Sequence, residues 1–572
     1  MSDNFKIFCI NDGKEYEVRL GMTLQELLAK TGIKTVKDEK SGIRSVPIVA
    51  LVDNKLKAFE HKIVMTDRVQ FIGLPHPDAR RSYIRSLSFV LQKAVRDMFP
   101  DKVLFIDHSL PVGLYCELRE PEKNEEGNQN TYFITDAEIH ALKDRMAQII
   151  KADLPFSKTK VSIDEAEKIF LHHNQPEKAK LFRSLGKYFC GVYTLDGLVD
   201  TFHGPLVPST GYLKVFDLIG FNDGFCLQSP SFSDVTKVPT LRRQSKIATT
   251  LQSYSKWCES LGISNVGTLN NSVMAGDAVK LINLSEARHE RQYAEIADKI
   301  FAQRASKRIV LLAGPSSSGK TSSSLRLAQQ CRVLGMRPKV IELDNYFVNR
   351  ELTPKDEHGA YDFESLYAMD LNLLNQQLNQ LLEGEEVVIP KYDFATGSRK
   401  DGNRLHLEEK DILILEGIHA LNPELVSQVD QSKVFRVYVS ALTSMNLDEN
   451  NNLSTSDNRL LRRMVRDNRV RGITPEGTIM RWDSVRRGEE RNIFPFQENA
   501  DALFNSALLY ELPMLKYFTE PLLRRILPNS PAYCEAVRLL KFLDFIVALQ
   551  PSEIHAIPPT SIMREFIGGQ TL

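Results

Sequence analysis

The chain has 572 residues, enough for three or four domains, and its 42% hydrophobic and 26% charged residues are ordinary for a globular protein. Lysine plus arginine equals aspartate plus glutamate at 73 each, so net charge gives no general attraction to nucleic acid or membranes. The seven cysteines form no C-x-x-C pair, which argues against a zinc ribbon or a disulfide framework. With no signal peptide and no apolar run of spanning length, we expect a cytoplasmic protein without a membrane partner.

The first 74 residues predict a small β-rich module. Residues 5–10 and 15–20 flank Asn11-Asp12-Gly13, which is a hairpin turn signal. Thr23 stands at capping-box spacing from Glu26, which predicts a helix over 24–31. Strand-like runs follow at 46–52 and 68–72. This pattern resembles the TGS domain, the β-grasp module at the start of threonyl-tRNA synthetases, and the resemblance implies that fold for residues 1–74.

Residues 75–230 predict a second, α+β module. The stretch 81–100 has the spacing of an amphipathic helix, and residues 200–211 read DTFHGPLVPSTG. The latter is similar to the D-x-C-x-G-P-H-x-P-S-T-G motif of the synthetase module that carries the editing site. Gly204-Pro205 and residues 208–211 match that motif.

The departures from the editing motif matter more than the matches. The family uses an H-x-x-x-H helix together with the cysteine and histidine of the later motif. The aligned positions here hold Phe89, Lys93, Phe202 and Leu206. Phenylalanine and leucine can neither ligate a metal nor move a proton, so the resemblance implies a module without editing chemistry. His203 is a lone histidine, for which a core or surface role is the simpler interpretation. Contact with RNA through residues 1–230 stays open.

Two further segments predict helices without chemistry. Residues 231–305 form a connector in which 241–261 and 285–303 have helical spacing and many charges, typical of solvated helices. Residues 511–572 are apolar at helical spacing and are expected to pack on the preceding domain or on a second subunit, which leaves a homo-oligomer open. The tail from Pro551 is expected to be loose at its end.

The segment 308–331 carries the strongest motif of the chain. An apolar run at 309–312 suits a buried parallel strand, and residues 314–321 read GPSSSGKT, the P-loop pattern G-x-x-x-x-G-K-[ST]. Glycines let the backbone approach a phosphate chain, and the following helix directs its N–H groups at anionic oxygens. We therefore predict an ATP-binding loop formed by Gly314, Pro315, Ser316, Ser317, Ser318, Gly319, Lys320, Thr321 and Ser322.

Strands that end in carboxylates follow the P-loop. The runs 338–344 and 411–417 are apolar and end at Asp344 and Glu416, and strand-like and helix-like segments alternate from 306 to 510. Such alternation predicts a doubly wound parallel sheet whose ligands gather at the carboxyl ends of the strands. Asp344 is placed to take a proton from an acceptor hydroxyl, although a helix-capping role is the alternative.

The segment 458–472 is dense in arginine. At helical spacing Arg459, Arg463 and Arg466 share one face. Guanidinium groups match phosphate oxygens and can neutralise charge in a phosphoryl-transfer transition state. A solvated basic helix or an RNA-facing patch are the alternative interpretations.

These motifs together resemble the phosphoribulokinase/uridine kinase family over residues 306–510, and the uridine kinases most. The resemblance implies a P-loop kinase fold, ATP as donor and Mg²⁺ as cofactor. It implies Asp344 as the catalytic base, with Lys320, Arg463 and Arg466 acting on the phosphates. Thr321 and Glu416 would hold Mg²⁺, and the acceptor would meet Asp344, Tyr346, Tyr392, Phe394 and Arg399.

Two departures leave the acceptor open. Uridine kinases usually carry a histidine, which helps to read the pyrimidine, where this chain has Gly397, and a lid arginine where it has Ile473. We expect transfer of the ATP γ-phosphate to the 5′-hydroxyl of uridine or cytidine, with weakened base preference that Gly397→His should sharpen. The alternatives are a kinase of another small hydroxyl metabolite, like phosphoribulokinase, and a nucleotide-dependent regulator that binds RNA or the ribosome.

Overall fold

In this computed structural model the chain is described over residues 4–65, 67–110, 113–123, 129–231, 234–240, 244–355, 359 and 361–572. Over those residues no helix combines the length and the apolar character needed to cross a membrane.

The first module is a five-stranded mixed sheet in the order β2-β1-β7-β5-β6, covered by one helix. Its hairpin and its capping box are confirmed, because Gly13 has φ +70° at the turn and Thr23 and Glu26 cap each other. The fold is that of the predicted β-grasp module. Its elements are β1 (Asn4–Cys9), β2 (Lys14–Arg19), α1 (Leu24–Thr31), β3 (Val36–Lys37), β4 (Arg44–Ser45), β5 (Pro47–Val52), β6 (Lys55–Lys57) and β7 (Arg68–Gly73).

The second module combines a five-stranded and a three-stranded antiparallel sheet with four helices. Its long helix begins four residues before the predicted start, because His76 caps it and proline follows at the first position. The elements are α2 (Pro77–Met98), β8 (Val103–Leu110), β9 (Gly113–Lys123), β10 (Gln129–Tyr132), α3 (Asp136–Lys151), β11 (Ser157–Ser162), α4 (Ile163–His172), α5 (Pro176–Arg183), β12 (Phe189–Leu195), β13 (Leu198–Asp200), β14 (Asp217–Phe221) and β15 (Gly224–Gln228).

The connector is helical, but the expectation of solvated helices is wrong for its last member. Tyr293, Ile296 and Ile300 are buried there, and the Tyr293 ring stacks on Phe504 at 4.2 Å between centroids. One face of this helix therefore belongs to the core of the next domain. The helices are α6 (Ser245–Ser260), α7 (Val266–Met274) and α8 (Ala278–Ala302); residues 241–243 of the first predicted helix lie outside the described residues.

The third domain is built on five parallel strands in the order β17-β20-β16-β21-β22. Alternate residues of its central strand enter different cores, Val310 and Leu312 on one side and Ile309 and Leu311 on the other. The doubly wound prediction is confirmed. The elements are β16 (Ile309–Ala313), α9 (Lys320–Val333), β17 (Arg337–Glu342), α10 (Leu371–Leu382), β18 (Val387–Asp393), β19 (Ser398–Leu405), β20 (Asp411–Glu416), β21 (Val434–Ser440), α11 (Thr455–Val470), α12 (Pro475–Asn492) and β22 (Ala502–Asn505).

The C-terminal segment packs on this domain, and the expectation of a loose tail is wrong. Ile562, Met563 and Phe566 are fully buried in the same core as α9 and α11. Apolar side chains at helical spacing account for this burial. The helices are α13 (Glu511–Leu523), α14 (Tyr533–Leu543), α15 (Pro551–His555) and α16 (Met563–Ile567).

The loop 441–454, between β21 and α11, crosses to the second module. Asn446 donates from Nδ2 to the carbonyls of Ile106 and Asp107 at 2.9 Å each, and Asn450 donates to Leu104 at 2.9 Å. The loop thereby satisfies main-chain groups of β8 that would otherwise be buried without a partner.

A buried ion cluster lies beside that loop. Lys178 of α5 pairs with Asp200 at 2.9 Å and with Asp448 of the loop at 3.5 Å, and all three side chains are at most 1% exposed. Because breaking such a cluster leaves an uncompensated buried charge, the cluster fixes the second module to the loop.

Candidate active site

The P-loop turns between β16 and α9 because glycines stand at its two ends. A Cβ on Gly314 would lie 2.0 Å from the Val439 carbonyl oxygen, and Gly319 has φ +86°. Within the described chain, the backbone N–H groups of Gly319, Lys320 and Thr321 meet no protein acceptor. N–H groups of this kind at a helix N-terminus bind anions, which is the basis for the predicted phosphate-binding role of this loop.

A buried ion pair between α11 and α12 supports the P-loop. Arg459 forms a two-pronged pair with Glu489 at 2.5 and 2.8 Å, and it also donates to the Ser316 carbonyl at 3.0 Å. Glu489 in turn accepts from the Ser316 N–H at 2.9 Å. Sequence spacing groups Arg459 with Arg463 and Arg466. In the structure, however, Arg459 supports the backbone of the P-loop and does not cover the loop.

Arg462 supports the same loop and was missed by the sequence analysis. Its fully buried guanidinium pairs with Glu511 and donates to the carbonyls of Ser317 and Ser318 at 3.5 and 3.4 Å, and to Ser506 at 2.8 Å. The spacing offered a signal, since Arg462 lies three residues from Arg459 on one helix face.

A single buried carboxylate, that of Asp467, accepts hydrogen bonds from both Arg463 and Arg466. Arg463 donates to Asp467 at 3.1 Å and reaches the Ser316 hydroxyl at 2.8 Å, while Arg466 donates to Asp467 at 2.9 Å. Asp467 is 1% exposed and was not singled out from the sequence. It therefore holds two guanidinium groups at once, of which that of Arg463 also contacts the P-loop.

Thr321 and Glu416 meet at the end of β20. The Thr321 hydroxyl donates to a Glu416 carboxylate oxygen at 2.9 Å. Burial raises the pKa of Glu416 to about 7, Lys320 opposes the rise, and the neighbouring Asp344 adds to it. A buried carboxylate beside a hydroxyl fits a hard cation. Because no three acidic, histidine or cysteine side chains converge in the part of the chain described, phosphate oxygens and water would complete an Mg²⁺ shell.

Asp344 follows β17 in a short 3-10 turn, Leu343–Tyr346. Burial raises the pKa of Asp344, against the opposing charges of Lys320 and Arg471. A Cβ on Gly417 would lie 2.7 Å from Leu343 Cβ, so glycine lets the end of β20 approach this turn. Lys320 acts on the pKa of both Asp344 and Glu416, so the two carboxylates lie near each other and near the P-loop lysine.

Glu364 is a further buried carboxylate near Lys320 and Asp344. Burial raises its pKa to about 7, the neighbouring Glu489 adds to the rise, and Arg463 and Lys320 oppose it. No motif marks this position; only the folded arrangement shows that it faces the phosphate-binding side chains.

An aromatic cluster borders the pocket on the side of the β18–β19 hairpin. The rings of Tyr392 and Phe394 lie 5.0 Å apart, and Phe347 lies 5.6 Å from Tyr392 and 6.5 Å from Phe363. Phe394 is 60% exposed. Tyr392 is buried, and its hydroxyl has no partner among the residues that the structure describes. Such a set of rings suits a planar ligand.

Two predicted acceptor residues lie elsewhere. Tyr346 is fully buried and donates from its hydroxyl to Gln377 at 2.9 Å, which makes it a core residue and corrects the prediction of substrate contact. Arg399 pairs with Asp370 at 2.9 Å and remains half-buried.

Gly397 cannot simply be replaced by the family's histidine. It has φ +72°, and a Cβ there would lie 2.7 Å from Arg350 Nε. Arg350 donates from Nη2 to the Phe394 carbonyl at 2.7 Å and from its own N–H to Gly397 at 2.8 Å. The Arg350 side chain therefore occupies the space that a larger residue at position 397 would need, so Gly397→His is not a simple restoration.

The second module brings together three of the four editing-like positions. The rings of Phe89 and Phe202 meet edge to face at 5.3 Å, and Leu206 is buried in the same cluster. Lys93 points away and pairs with Asp97 at 2.7 Å and with Asp196 at 3.2 Å.

His203 lies beside this cluster and lines a cavity of about 1450 Å³, whose walls come from the first module, the second module, the kinase domain and the C-terminal segment. Burial lowers its pKa to about 3, and the nearby charges of Arg85 and Arg538 act in the same direction. A neutral, half-buried histidine near two arginines fits a structural role better than a catalytic one.

The P-loop domain is similar to known kinases. The sequence profile of the phosphoribulokinase/uridine kinase family matches residues 309–509. The uridine kinase of Macrococcus caseolyticus is 32% identical over 197 residues, which are 34% of this chain and 86% of that kinase. The solved structure of a possible uridine kinase from Bacillus stearothermophilus has 20% identity and a TM-score of 0.26, covering 38% of this chain and 99% of that one.

The N-terminal region has a different relative. The threonine–tRNA ligase of Thermotoga neapolitana is 26% identical over 229 residues, which are 40% of this chain but only 32% of the ligase. The chain thus spans about a third of that relative's length. The protein is a phosphotransferase acting on an alcohol, and through its P-loop domain the chain belongs to the phosphoribulokinase/uridine kinase family.

Proposed function

We propose that the protein transfers the γ-phosphate of ATP to the 5′-hydroxyl of a nucleoside, with uridine and cytidine as the first candidates. The observation that carries this proposal is the pocket in which Asp344 and Glu416 lie beside Lys320 of the P-loop. An aromatic cluster borders it on the acceptor side.

In the proposed reaction the acceptor hydroxyl attacks the γ-phosphorus in line with the leaving group. The new P–O bond forms as the bond to the bridging oxygen breaks, and ADP leaves with that electron pair. Asp344 takes the hydroxyl proton, which its ionised carboxylate is able to accept. Burial holds its pKa above the ordinary value and so strengthens it as a base.

Charge on the transferring group is neutralised by cationic side chains. Lys320, Arg463 and Arg466 supply three of them, and Asp467 keeps the two arginines oriented before substrate binds. Thr321 and Glu416 would hold Mg²⁺, which would supply further positive charge to the phosphates.

Acceptor choice tests the proposal directly. We expect ATP consumption with uridine or cytidine in a screen that also includes adenosine, inosine and sugar phosphates, and its loss in Asp344→Asn. Turnover of free nucleosides separates a nucleoside kinase from an RNA- or ribosome-binding regulator, which would consume no ATP with them. Absence of turnover with every small hydroxyl compound would contradict the proposal.

A second acceptor class is favoured by Arg350. No carboxylate partner of this guanidinium lies among the residues that the structure describes, and it stands over the hairpin tip next to Phe394. A cation there suits an acceptor that carries an anionic group, such as a sugar phosphate. Arg350→Met separates the classes: KM for a sugar phosphate should rise about tenfold or more, whereas KM for uridine should stay within a factor of two.

For the N-terminal half we propose a TGS-like module at residues 1–74 and an editing-like module at 75–230 that lacks editing chemistry. The packed rings of Phe89 and Phe202 support a scaffold or binding role. Gel-shift titration of the full chain with RNA tests the binding role, and salt dependence of the affinity distinguishes phosphate contacts from other binding.

A further inference from the structure

The C-terminal segment of the chain touches the first turn of the P-loop helix. A Glu565 carboxylate oxygen accepts from the Ser322 hydroxyl at 2.6 Å and from the Ser322 backbone N–H at 3.3 Å. Gln570 donates to the same hydroxyl at 2.8 Å. These contacts join residues about 240 positions apart in sequence, so they are made only in the folded protein.

Ser322 is the third residue of α9 and belongs to the P-loop's anion-binding turn. The N–H groups of a first helical turn have no carbonyl partner within the helix, and in a P-loop they are the groups that face phosphates. A carboxylate bonded to both the N–H and the hydroxyl of Ser322 therefore takes a position suited to a phosphate of the nucleotide. The protein supplies an anion of its own to this part of the site.

The backbone that carries Glu565 is firmly anchored. Ile562 and Phe566 are fully buried, and Ile562 Cγ2 lies 2.5 Å from where a Cβ on Gly319 would stand. Arg469 of α11 donates to the carbonyls of Glu565 and Phe566 at 3.0 Å each. Because the neighbours on both sides of Glu565 are held, its side chain can leave Ser322 by rotating while the segment stays in place.

We infer that Glu565 is an autoinhibitory group, which occupies one phosphate position of the P-loop and must swing away before a nucleotide binds fully. This inference rests on the proposed nucleotide binding at the P-loop. A competitor within the chain lowers apparent affinity by the fraction of molecules in which the site is free. The resting protein would therefore bind nucleotide more weakly than its P-loop alone allows.

The test is the affinity for MgADP, measured by calorimetry on the full chain. Glu565→Gln keeps the shape of the side chain and removes its charge, and Glu565→Ala removes both. We expect both variants to bind MgADP roughly fivefold or more tightly than the wild type, because a charged hydrogen-bonded competitor is lost. Glu553→Gln, in the same C-terminal segment but with its carboxylate on the Gln550 backbone, is the matched control and should bind like the wild type.

The outcomes separate the two proposals. If the wild type binds MgADP and Glu565→Gln binds it equally or more weakly with an unchanged melting temperature, the inhibitory role is overturned. If neither the wild type nor the variants bind MgADP, nucleotide binding itself fails and the inference falls with it. Should Glu565→Ala fail to fold, the isosteric glutamine variant decides.

Discussion

The P-loop region and the cluster of Phe89, Phe202 and Leu206 in the second module differ in the kind of groups they bury. Among the described residues, the first keeps backbone N–H groups at 319–321 that meet no protein acceptor, beside a Glu416 carboxylate whose pKa burial raises to about 7. The second has aromatic rings in edge-to-face contact, Phe89 against Phe202.

This contrast matches the proposed roles of the two regions, a ligand-binding site at the P-loop and a module without editing chemistry at 75–230. Unsatisfied buried polar groups cost free energy, so a chain retains them where a ligand repays that cost. Where no ligand comes, apolar packing of similar volume is the more stable filling. Both regions match at least part of a family motif, so the motif matches alone do not distinguish them.

The largest expected effect is on catalysis at the P-loop pocket. Asp344→Asn should lower kcat by roughly 100- to 10,000-fold, because the variant lacks a group that can accept the hydroxyl proton. Lys320→Ala should lower phosphoryl transfer comparably by removing a charge from the transition state. The measurement is steady-state kinetics on the best acceptor, with thermal melts as the folding control. Near-normal turnover by Asp344→Asn would remove it from the mechanism.

The next effect is on stability, in the second module. Phe202→Ala should lower the free energy of unfolding by about 3–5 kcal/mol, because it opens a cavity beside Phe89. Phe133→Ala, at a residue that is 70% exposed, is the control and should change stability by less than about 0.5 kcal/mol. Denaturant unfolding monitored on the full chain measures both. Equal, small effects would mean that the cluster is not a packed core.

A smaller, pH-dependent effect is expected at Glu416. Its pKa is raised from 4.5 to about 7, so the folded state holds the proton to a higher pH than the unfolded chain does. The contribution of Glu416 to the free energy of unfolding is therefore lost as the pH rises from 4.5 to about 7. Glu416→Gln should raise the free energy of unfolding by about 2 kcal/mol at pH 8 and by much less at pH 5, while abolishing Mg²⁺-dependent transfer. An equal gain at both pH values would contradict the assignment.

The last prediction is that the second module shows no editing activity. The full chain should not deacylate mischarged tRNA above a tRNA-only control, because Phe89, Phe202 and Leu206 offer no group to activate water. Deacylation by the wild type that survives Lys320→Ala would place an active site in the second module and break the comparison.

Local sequence rules predicted most of the framework. The capping box at Thr23, the hairpin at Gly13 and the strand–P-loop–helix run all depend on neighbours in sequence, and the structure has them where expected. The pocket's strand-end acids, Asp344 and Glu416, followed from the rule that parallel strands end at one edge.

What sequence could not supply depends on distant partners. From its spacing alone, Arg459 belongs with the arginines expected to cover the phosphates. In the structure it is buried in an ion pair with Glu489, thirty residues away in sequence. Tyr346 adjoins the predicted base, yet its hydroxyl is bound by Gln377 in the core. The tail was expected to be loose because nothing local reveals that Ile562 fits against Gly319.

The loop 441–454 has a consequence for dissecting the protein. A fragment cut at residue 305 would keep the P-loop sheet but would carry Asp448 without Lys178, and Asn446 without the β8 carbonyls. Buried groups stripped of their partners are strongly destabilising, so we expect the fragment to be less stable than the same domain within the full chain. Through Lys178 and the β8 carbonyls, the second module forms part of the support on which the kinase domain rests.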